Sequence, residues 1–335
     1  MTLRNAARAG GIALAAAVLT APLSGPAAAI AQPHTPVTTP PAARVPGTYV
    51  PFLAAPAPAT LRVMPLGDSI TWGSGSADSR EGTRTGAPTT SGYRIGLRNR
   101  LEAAGLNVDF VGSRRGGPEG ADRDNEGHPG RRIDQIAAGV DDWLATYRPD
   151  VVLLHLGTND IAQHRDVAAT AAGLSALIDR IRAARPDAEI FVQQVVQGHL
   201  EPVRSRLTAY NALIPGIVAG KDARVHLVDQ STVGGLALFD NLHPNDFGYA
   251  EMTHNLYEAL RAVYDTTGTW PAVPDPSAAT TAYLCFRIDE ATTWHAECGT
   301  WSLRTATDPY VVNHGTSGPV PTPTGPALSG DVAPA

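Results

Sequence analysis

Val151-Val152-Leu153-Leu154-His155-Leu156-Gly157-Thr158-Asn159-Asp160 is the stretch that decides the architecture. Its first six residues are almost unbroken in apolar character and stop at a glycine and an Asn-Asp pair. Such a run reads as a strand buried on both faces, and strands of that kind belong to parallel sheets covered by helices. Its flanks carry helical periodicity. Upstream, Ile133, Ile136, Val140, Trp143, Leu144 and Tyr147 mark one face of an amphipathic helix; downstream, 167–184 is helical and closed by Pro186.

The same alternation extends outward. Leu61 to Leu66 reads as a strand ending at Gly67, and 93–104 has helical spacing at Tyr93, Leu97 and Leu101, stopped by Gly105. Val108 to Val111 is a short strand, followed by a loop rich in Gly, Arg and Asp from Gly112 to Gly130. Glu189 to Val195 is a strand, 203–219 is mostly helical with a kink at Pro215, Arg224 to Val228 is a strand, and Asn245 to Tyr264 is the last helix. Five strands alternating with helices predict a doubly wound α/β fold. This is a three-layer α/β/α sandwich with a five-stranded parallel sheet and a right-handed crossover at each step.

Composition bounds the rest. With 335 residues, 43% of them hydrophobic, the chain supports one sizeable core and a smaller appendage. The net charge of −6 and the lack of a basic stripe argue against nucleic acid as partner. Arg114, Arg115, Arg131 and Arg132 are the densest basic region, but they lie in Gly-rich loop sequence and read as solvated charge. At the start, Arg4 and Arg8 precede an apolar run from Gly11 to Leu19 that is too short to span a bilayer. Ala29-Ile30-Ala31 then offers small residues for cleavage, so 1–31 reads as a secretory signal peptide and the protein as extracellular. No later segment approaches 18 apolar residues, so stable membrane insertion after cleavage is not expected.

Residues 32–60 form a Pro/Ala-rich linker, 61–265 the α/β domain, and 266–280 a second linker marked by Pro271, Pro274 and Pro276. Residues 281–314 read as a small β-rich module and 315–335 as a disordered tail. The two cysteines, Cys285 and Cys298, predict a disulfide in an exported chain, worth roughly 3 kcal/mol in the chain-entropy model. If Tyr283–Ile288 and Thr293–Leu303 pair as a hairpin, the cysteines fall opposite each other around a turn near Ala291 and Thr292. His295 is nearby, but no further Cys-x-x-Cys exists, so a metal site is not expected.

Chemistry concentrates where strands end. Gly67-Asp68-Ser69-Ile70-Thr71 follows the first strand, where ligands bind in doubly wound sheets. Ser69 sits where a nucleophile belongs, although Asp and Ser are also ordinary helix caps. Asp240-Asn241-Leu242-His243-Pro244 follows the fifth strand. A hydroxyl needs a base to take its proton, and imidazole titrates near neutrality. A carboxylate on the other ring nitrogen then fixes the tautomer, so Asp240 and His243 read as acid and base on one loop. A surface Asp–His pair before a helix is the plainer alternative. Gly157-Thr158-Asn159-Asp160 places an uncharged amide that can donate to an oxyanion, or forms an ordinary Asn/Asp turn. Glu126-Gly127-His128-Pro129-Gly130 taken alone is a Gly/Pro loop whose Gly130 can offer a backbone N–H.

With these four motifs in place, 61–264 resembles the SGNH (GDSL) hydrolase family and its flavodoxin-like fold. The resemblance implies Ser69 as nucleophile and His243 as base oriented by Asp240. It also implies an oxyanion hole of the Ser69 N–H, the Gly130 N–H and the Asn159 side chain, with Asp68 and Asp160 behind it. Asp109-Phe110-Val111-Gly112-Ser113, Glu126-Gly127-His128-x-Gly130 and Tyr210-Asn211-x-x-Ile214-Pro215-Gly216-Ile217 look like carbohydrate esterase family 3. That likeness implies a serine esterase without metal or organic cofactor, whose partner is an ester substrate such as acetylated xylan. Residues 70 and 71 are Ile and Thr, so the Leu of the motif's older name is absent. No Gly-x-Ser-x-Gly elbow is present, which argues against the ordinary α/β-hydrolase fold.

Two alternatives stand beside this reading: a secreted lipase, phospholipase or short-chain esterase on the same scaffold, and a glycan- or wall-binding protein. The second would use Trp294 and Trp301 in the C-terminal module to stack on sugars, against packing around the disulfide. His155, inside its apolar strand, reads as a hydrogen-bonded core histidine. Trp72 is a candidate cleft residue and Trp143 a core residue.

Overall fold

Alternation along β1 (Leu61–Gly67) and β5 (Val151–His155) builds both halves of the core. Val63, Val151 and Leu153 face one helical layer, while Met64, Leu66, Val152 and Leu154 face the other. That is the two-residue period of a strand covered on both sides. The computed structural model describes residues 60–76, 90–306, 309, 310 and 314. The signal-peptide, N-terminal linker (up to residue 59) and tail (from 315) readings lie outside the described residues.

Among the described residues the sheet has seven strands where the sequence predicts five. β2 (Val108–Phe110), β1, β5, β6 (Glu189–Gln193) and β7 (Val225–Val228) are the five expected, all parallel and in that spatial order. The additional pair, β3 (Arg114–Arg115) and β4 (Asp124–Gly127), falls in the Gly/Arg/Asp-rich stretch read as loop. β2 pairs only with Leu61–Val63, and β4 takes up the same side of β1 at Leu66 and Gly67. β4 reads Asp-Asn-Glu-Gly, which carries no apolar alternation, so periodicity missed it. Its Glu126 accepts both the N–H and the hydroxyl of Ser113 at 2.7 and 2.6 Å, which supplies locally what hydrophobic pairing does elsewhere.

One layer of helices comprises α2 (Tyr93–Ala103) and α9 (Asp246–Tyr264), where Leu97, Leu101, Leu256 and Leu260 are fully buried. The other comprises α3 (Ile133–Ala137), α4 (Val140–Tyr147), α6 (Val167–Ala184), α7 (Val203–Asn211) and α8 (Ile214–Ala219). The single helix expected over 133–147 is thus two, broken at Ala138 and Gly139. A Cβ at Gly139 would lie 2.6 Å from the Trp143 ring, so that indole occupies the break. Likewise 203–219 is two helices. Pro215 stands in the first turn of α8, where its missing N–H costs nothing.

Beyond α9, Trp270 is buried against Tyr257, whose hydroxyl donates to the Pro271 carbonyl at 2.7 Å. β8 (Thr281–Asp289) and β9 (Trp294–Ser302) then form an antiparallel hairpin with Cys285 opposite Cys298 and joined to it. Its turn is closed by the Glu290 N–H donating to Thr293, around the expected Ala291 and Thr292. Among the described residues, no helix is long and apolar enough to cross a membrane.

Candidate active site

The chain leaves β1 for β2 on one side and returns for β5 on the other, so the carboxyl ends of β1 and β5 flank the topological switch point. Ser69 opens the four-residue helix α1 (Ser69–Trp72) directly after β1. Asn159 lies in α5 (Thr158–Ala162) after β5. Asp240 and His243 lie on the loop between β7 and α9. Gly67 permits the first turn: a Cβ there would lie 2.2 Å from Thr71 Oγ1 and 2.5 Å from the His155 carbonyl.

These residues converge. His243 Nε2 is 2.9 Å from Ser69 Oγ, and its Nδ1 lies 3.0 and 2.9 Å from the two carboxylate oxygens of Asp240. Asp240 Oδ1 also accepts the N–H groups of Leu242 and His243, each at 2.9 Å. Burial by itself would raise the Asp240 carboxyl. The His243 charge, the ring hydrogen bond and the two backbone donors outweigh it and hold Asp240 well below the usual carboxylate range. Burial works against a charged His243, yet the Asp240 carboxylate, with Asp68 behind it, raises its pKa. With the hydroxyl on one nitrogen and the carboxylate on the other, the ring is oriented to take a proton from Ser69.

Asn159 and Gly130 are the other two oxyanion candidates beside Ser69 itself. Asn159 Nδ2 donates to Asp68 Oδ2 at 3.3 Å and to the Arg131 carbonyl at 3.1 Å. The amide is therefore oriented from two sides, and its longer contact is the easier one to share with a developing oxyanion. Gly130 has φ +78, the left-handed region that favours glycine, and apart from its chain neighbours no described residue comes within 4 Å of where its Cβ would be. Asp68 caps α1 through the Ile70 N–H at 2.9 Å, so it is both the cap and the partner of Asn159. Burial pushes its carboxyl up to about 7. Asp160, raised by burial, accepts the Ile133 N–H at 3.1 Å and so fixes the far end of the Gly130 loop.

Sequence reasoning missed the partners of two supporting histidines. Glu126 is fully buried, and its Oε1 lies 2.6 Å from His128 Nε2, while the His128 ring stacks on Trp143 with centroids 4.7 Å apart. The His128 N–H donates to the Gly67 carbonyl at 2.9 Å, tying the Gly130 loop to the strand that ends at the nucleophile. Two-residue spacing in Glu126-x-His128 places both on one face of an extended segment, a signal overlooked because the stretch reads as loop. The second support is His199, whose Nδ1 and Nε2 lie 2.9 and 2.8 Å from the carbonyls of Asp240 and Gly235.

Two other expectations, at His155 and Trp72, need correction. His155 is buried, but neither ring nitrogen has a hydrogen-bond partner among the described residues, and burial lowers its pKa to about 4. Trp72 is 7% exposed, with the Arg114 guanidinium 5.2 Å above its ring, so it packs more than it lines a cleft. Trp301 is buried edge-on to Phe286, and Trp294 meets Phe239 edge-on. Among the described residues there is no group of three or more His, Cys, Asp or Glu arranged to hold a metal ion.

Comparison with known proteins identifies the family and the fold. The model of the GDSL-like Lipase/Acylhydrolase family matches residues 66–251. A family 3 carbohydrate esterase from Clostridium thermocellum superposes with a TM-score of 0.50 at 36% identity, over 61% of this chain and 96% of that one. A carbohydrate esterase family 3 structure from Talaromyces cellulolyticus gives 0.51 at 27% identity, over 62% and 100%. Among named sequences, endoglucanase X of Acetivibrio thermocellus is 35% identical over 133 residues, 38% of this chain and 56% of that protein. A multidomain esterase of Ruminococcus flavefaciens is 28% identical over 58% of this chain. The chain thus spans about half the length of the first of these relatives and 27% of the second.

Proposed function

Because the chain belongs to the GDSL-like lipase/acylhydrolase family, we propose that it is an exported serine esterase that removes acetyl groups from polysaccharide by two-step acyl transfer. The observation that carries the reading is the line of hydrogen bonds from Ser69 through His243 to Asp240.

In the first step Ser69 Oγ attacks the ester carbonyl carbon while its proton passes to His243 Nε2. The carbonyl oxygen becomes an oxyanion facing the Ser69 and Gly130 N–H groups and the Asn159 amide; one such donor is worth about 3 kcal/mol in the transition state. As the tetrahedral species collapses, the C–O bond to the alcohol breaks and the imidazolium donates its proton to the departing oxygen. The acyl group is left on Ser69. Water then attacks that ester, giving its proton to neutral His243, and the carboxylic acid leaves as Ser69 regains the proton. Asp240 keeps its charge throughout and stabilises the imidazolium.

The carbohydrate ester is favoured by likeness to two family 3 carbohydrate esterases, each covered over nearly its whole length. Export is favoured by the leader-like first 31 residues and by the Cys285–Cys298 disulfide. The test is hydrolysis of p-nitrophenyl acetate, butyrate and octanoate, alongside acetylated xylan, by wild type and Ser69→Ala. Acetate released from xylan by the wild type alone is the expected result. Octanoate preference without xylan activity would move the substrate to lipids, and no hydrolysis of any ester would end the esterase reading.

A further inference from the structure

The hairpin of β8 and β9 lies beyond the family's 66–251 span, yet it is built into the loop that carries Asp240 and His243. That loop is a closed turn: the Phe239 N–H donates to the His243 carbonyl at 2.7 Å, and Leu238 bridges Pro244. Outside this turn stands β8. The Arg287 N–H donates to the Phe239 carbonyl at 2.7 Å, and the Cys285 carbonyl accepts from Asn245 Nδ2 at 3.4 Å. Asn245 is the cap of α9, two residues past His243. Cys285 and Cys298 have Cα atoms 4.1 Å apart, the spacing of a non-hydrogen-bonded pair. Residues 285 and 287 therefore turn their backbone polar groups away from β9, onto the His243 loop.

Side chains reinforce the join. Leu284, Phe286 and Trp301 pack with Leu236 and Phe247 from either side of the loop. Trp294 lies edge-on to Phe239, with ring centroids 5.9 Å apart, and the Arg287 guanidinium sits 5.2 Å above Trp294. Asp289 holds that guanidinium at 2.6 Å and also meets His314 at 3.0 Å.

We infer that this hairpin is a working part of the acyl-transfer machinery. By adding β8 as a strand to Phe239, it holds His243 at hydrogen-bond distance from Ser69, and Arg287, Trp294 and the disulfide act as positioning residues. The inference rests on the serine-esterase reading. Between the three-residue turn Gly235–Ala237 and α9 the loop has no regular helix of its own, so its rigidity comes from what it touches. A general base works at a heavy-atom distance of about 2.6–3.2 Å from the group whose proton it takes, and a displacement of about 1 Å costs on the order of 10²-fold in rate.

Arg287 also supplies a readout that bulk stability does not move. The groups whose charge acts on His243 are Asp240 on its own loop, Asp68 at the end of β1 and Arg287 on β8. Arg287 is the cation among them and opposes protonation of His243. Facing Arg287 are Asp289, His314 beside it, and Tyr310.

The experiment measures kcat, KM and the pH–rate profile on p-nitrophenyl acetate, with melting temperature recorded, for the full chain. Its variants are Arg287→Ala, Arg287→Lys, Trp294→Ala, Trp294→Phe and the double change Cys285→Ala with Cys298→Ala. Well below each variant's Tm, Trp294→Ala and the cysteine double variant are expected to lose at least about tenfold in kcat with KM within about twofold. Trp294→Phe should recover most of the loss. Arg287→Ala should move the acidic limb of the profile upward and Arg287→Lys should leave it in place, which decides the matter even if the cysteine variant fails to fold. An active wild type whose variants all keep kcat and the same acidic limb would overturn the inference alone. An inactive wild type would overturn the esterase reading beneath it.

Discussion

The Nε2 atom of His243 lies 2.9 Å from the hydroxyl of Ser69, although 174 residues separate them in sequence. Ser69 follows β1 directly, whereas His243 stands on the loop between β7 and α9, so the packing of that loop as well as the sheet sets their distance. About a fifth of the His243 side chain remains exposed.

Replacing Asp240 by Asn keeps the size of the side chain and removes its charge. The carboxylate bridges His243 Nδ1 and two backbone N–H groups. Asp240→Asn should lower kcat about 10³–10⁴-fold with the fold intact, measured by p-nitrophenyl acetate turnover and circular dichroism. A loss below tenfold would remove Asp240 from the proton-transfer line.

The pH profile follows from His243. The neutral ring is the active base, and its pKa is raised above the 6.5 of a free imidazole. The acidic limb of kcat/KM should therefore have its midpoint above pH 6.5, higher than the value a free histidine suggests. A rate profile from pH 5 to 9 checks this, and a midpoint at or below 6.5 would contradict it.

Asp68 gives a stability prediction of opposite character to an ordinary salt-bridged carboxylate. Its folded pKa is raised from 3.8 to about 7, so its contribution is fully present below pH 3.8 and is lost as pH rises through 7. At about 1.4 kcal/mol per unit, the loss is on the order of 4 kcal/mol at most. Asp68→Asn keeps an acceptor for the Ile70 N–H and has no charge to bury. The variant should gain stability relative to wild type between pH 4 and pH 8, as urea unfolding at both values would record. A constant difference between the two proteins would show that Asp68 stays ionised at low cost.

Glu126 supports the Gly130 loop through His128 and Ser113. Glu126→Ala should destabilise the protein by about 2–4 kcal/mol, because buried donors lose their acceptor. It should also lower kcat as the loop loosens. Thermal unfolding together with turnover would test both, and an unchanged Tm would show that the carboxylate is replaceable by water.

Much of the fold was legible because burial leaves a period. Five parallel strands and the ends of α6 are visible as apolar runs and helical spacing bounded by glycine, proline and caps. β4 was not, since Asp124-Asn125-Glu126-Gly127 is held by polar contacts that have no period. The break at Gly139 was hidden for the opposite reason. Ile136 and Val140 continue the apolar face across it, so the pattern shows one helix where the backbone makes two.

For the site, the sequence by itself determined which side chains stand at strand ends, because a parallel α/β sheet places every such loop at one edge. Ser69, Asn159, Asp240 and His243 follow from that rule. Tertiary structure alone decided that Asp68 reaches Asn159, that the His128 N–H meets the Gly67 carbonyl, and that β8 lies against Phe239. Those contacts join irregular segments up to 91 residues apart, and no local propensity or spacing encodes a distance between two loops until the core between them has packed.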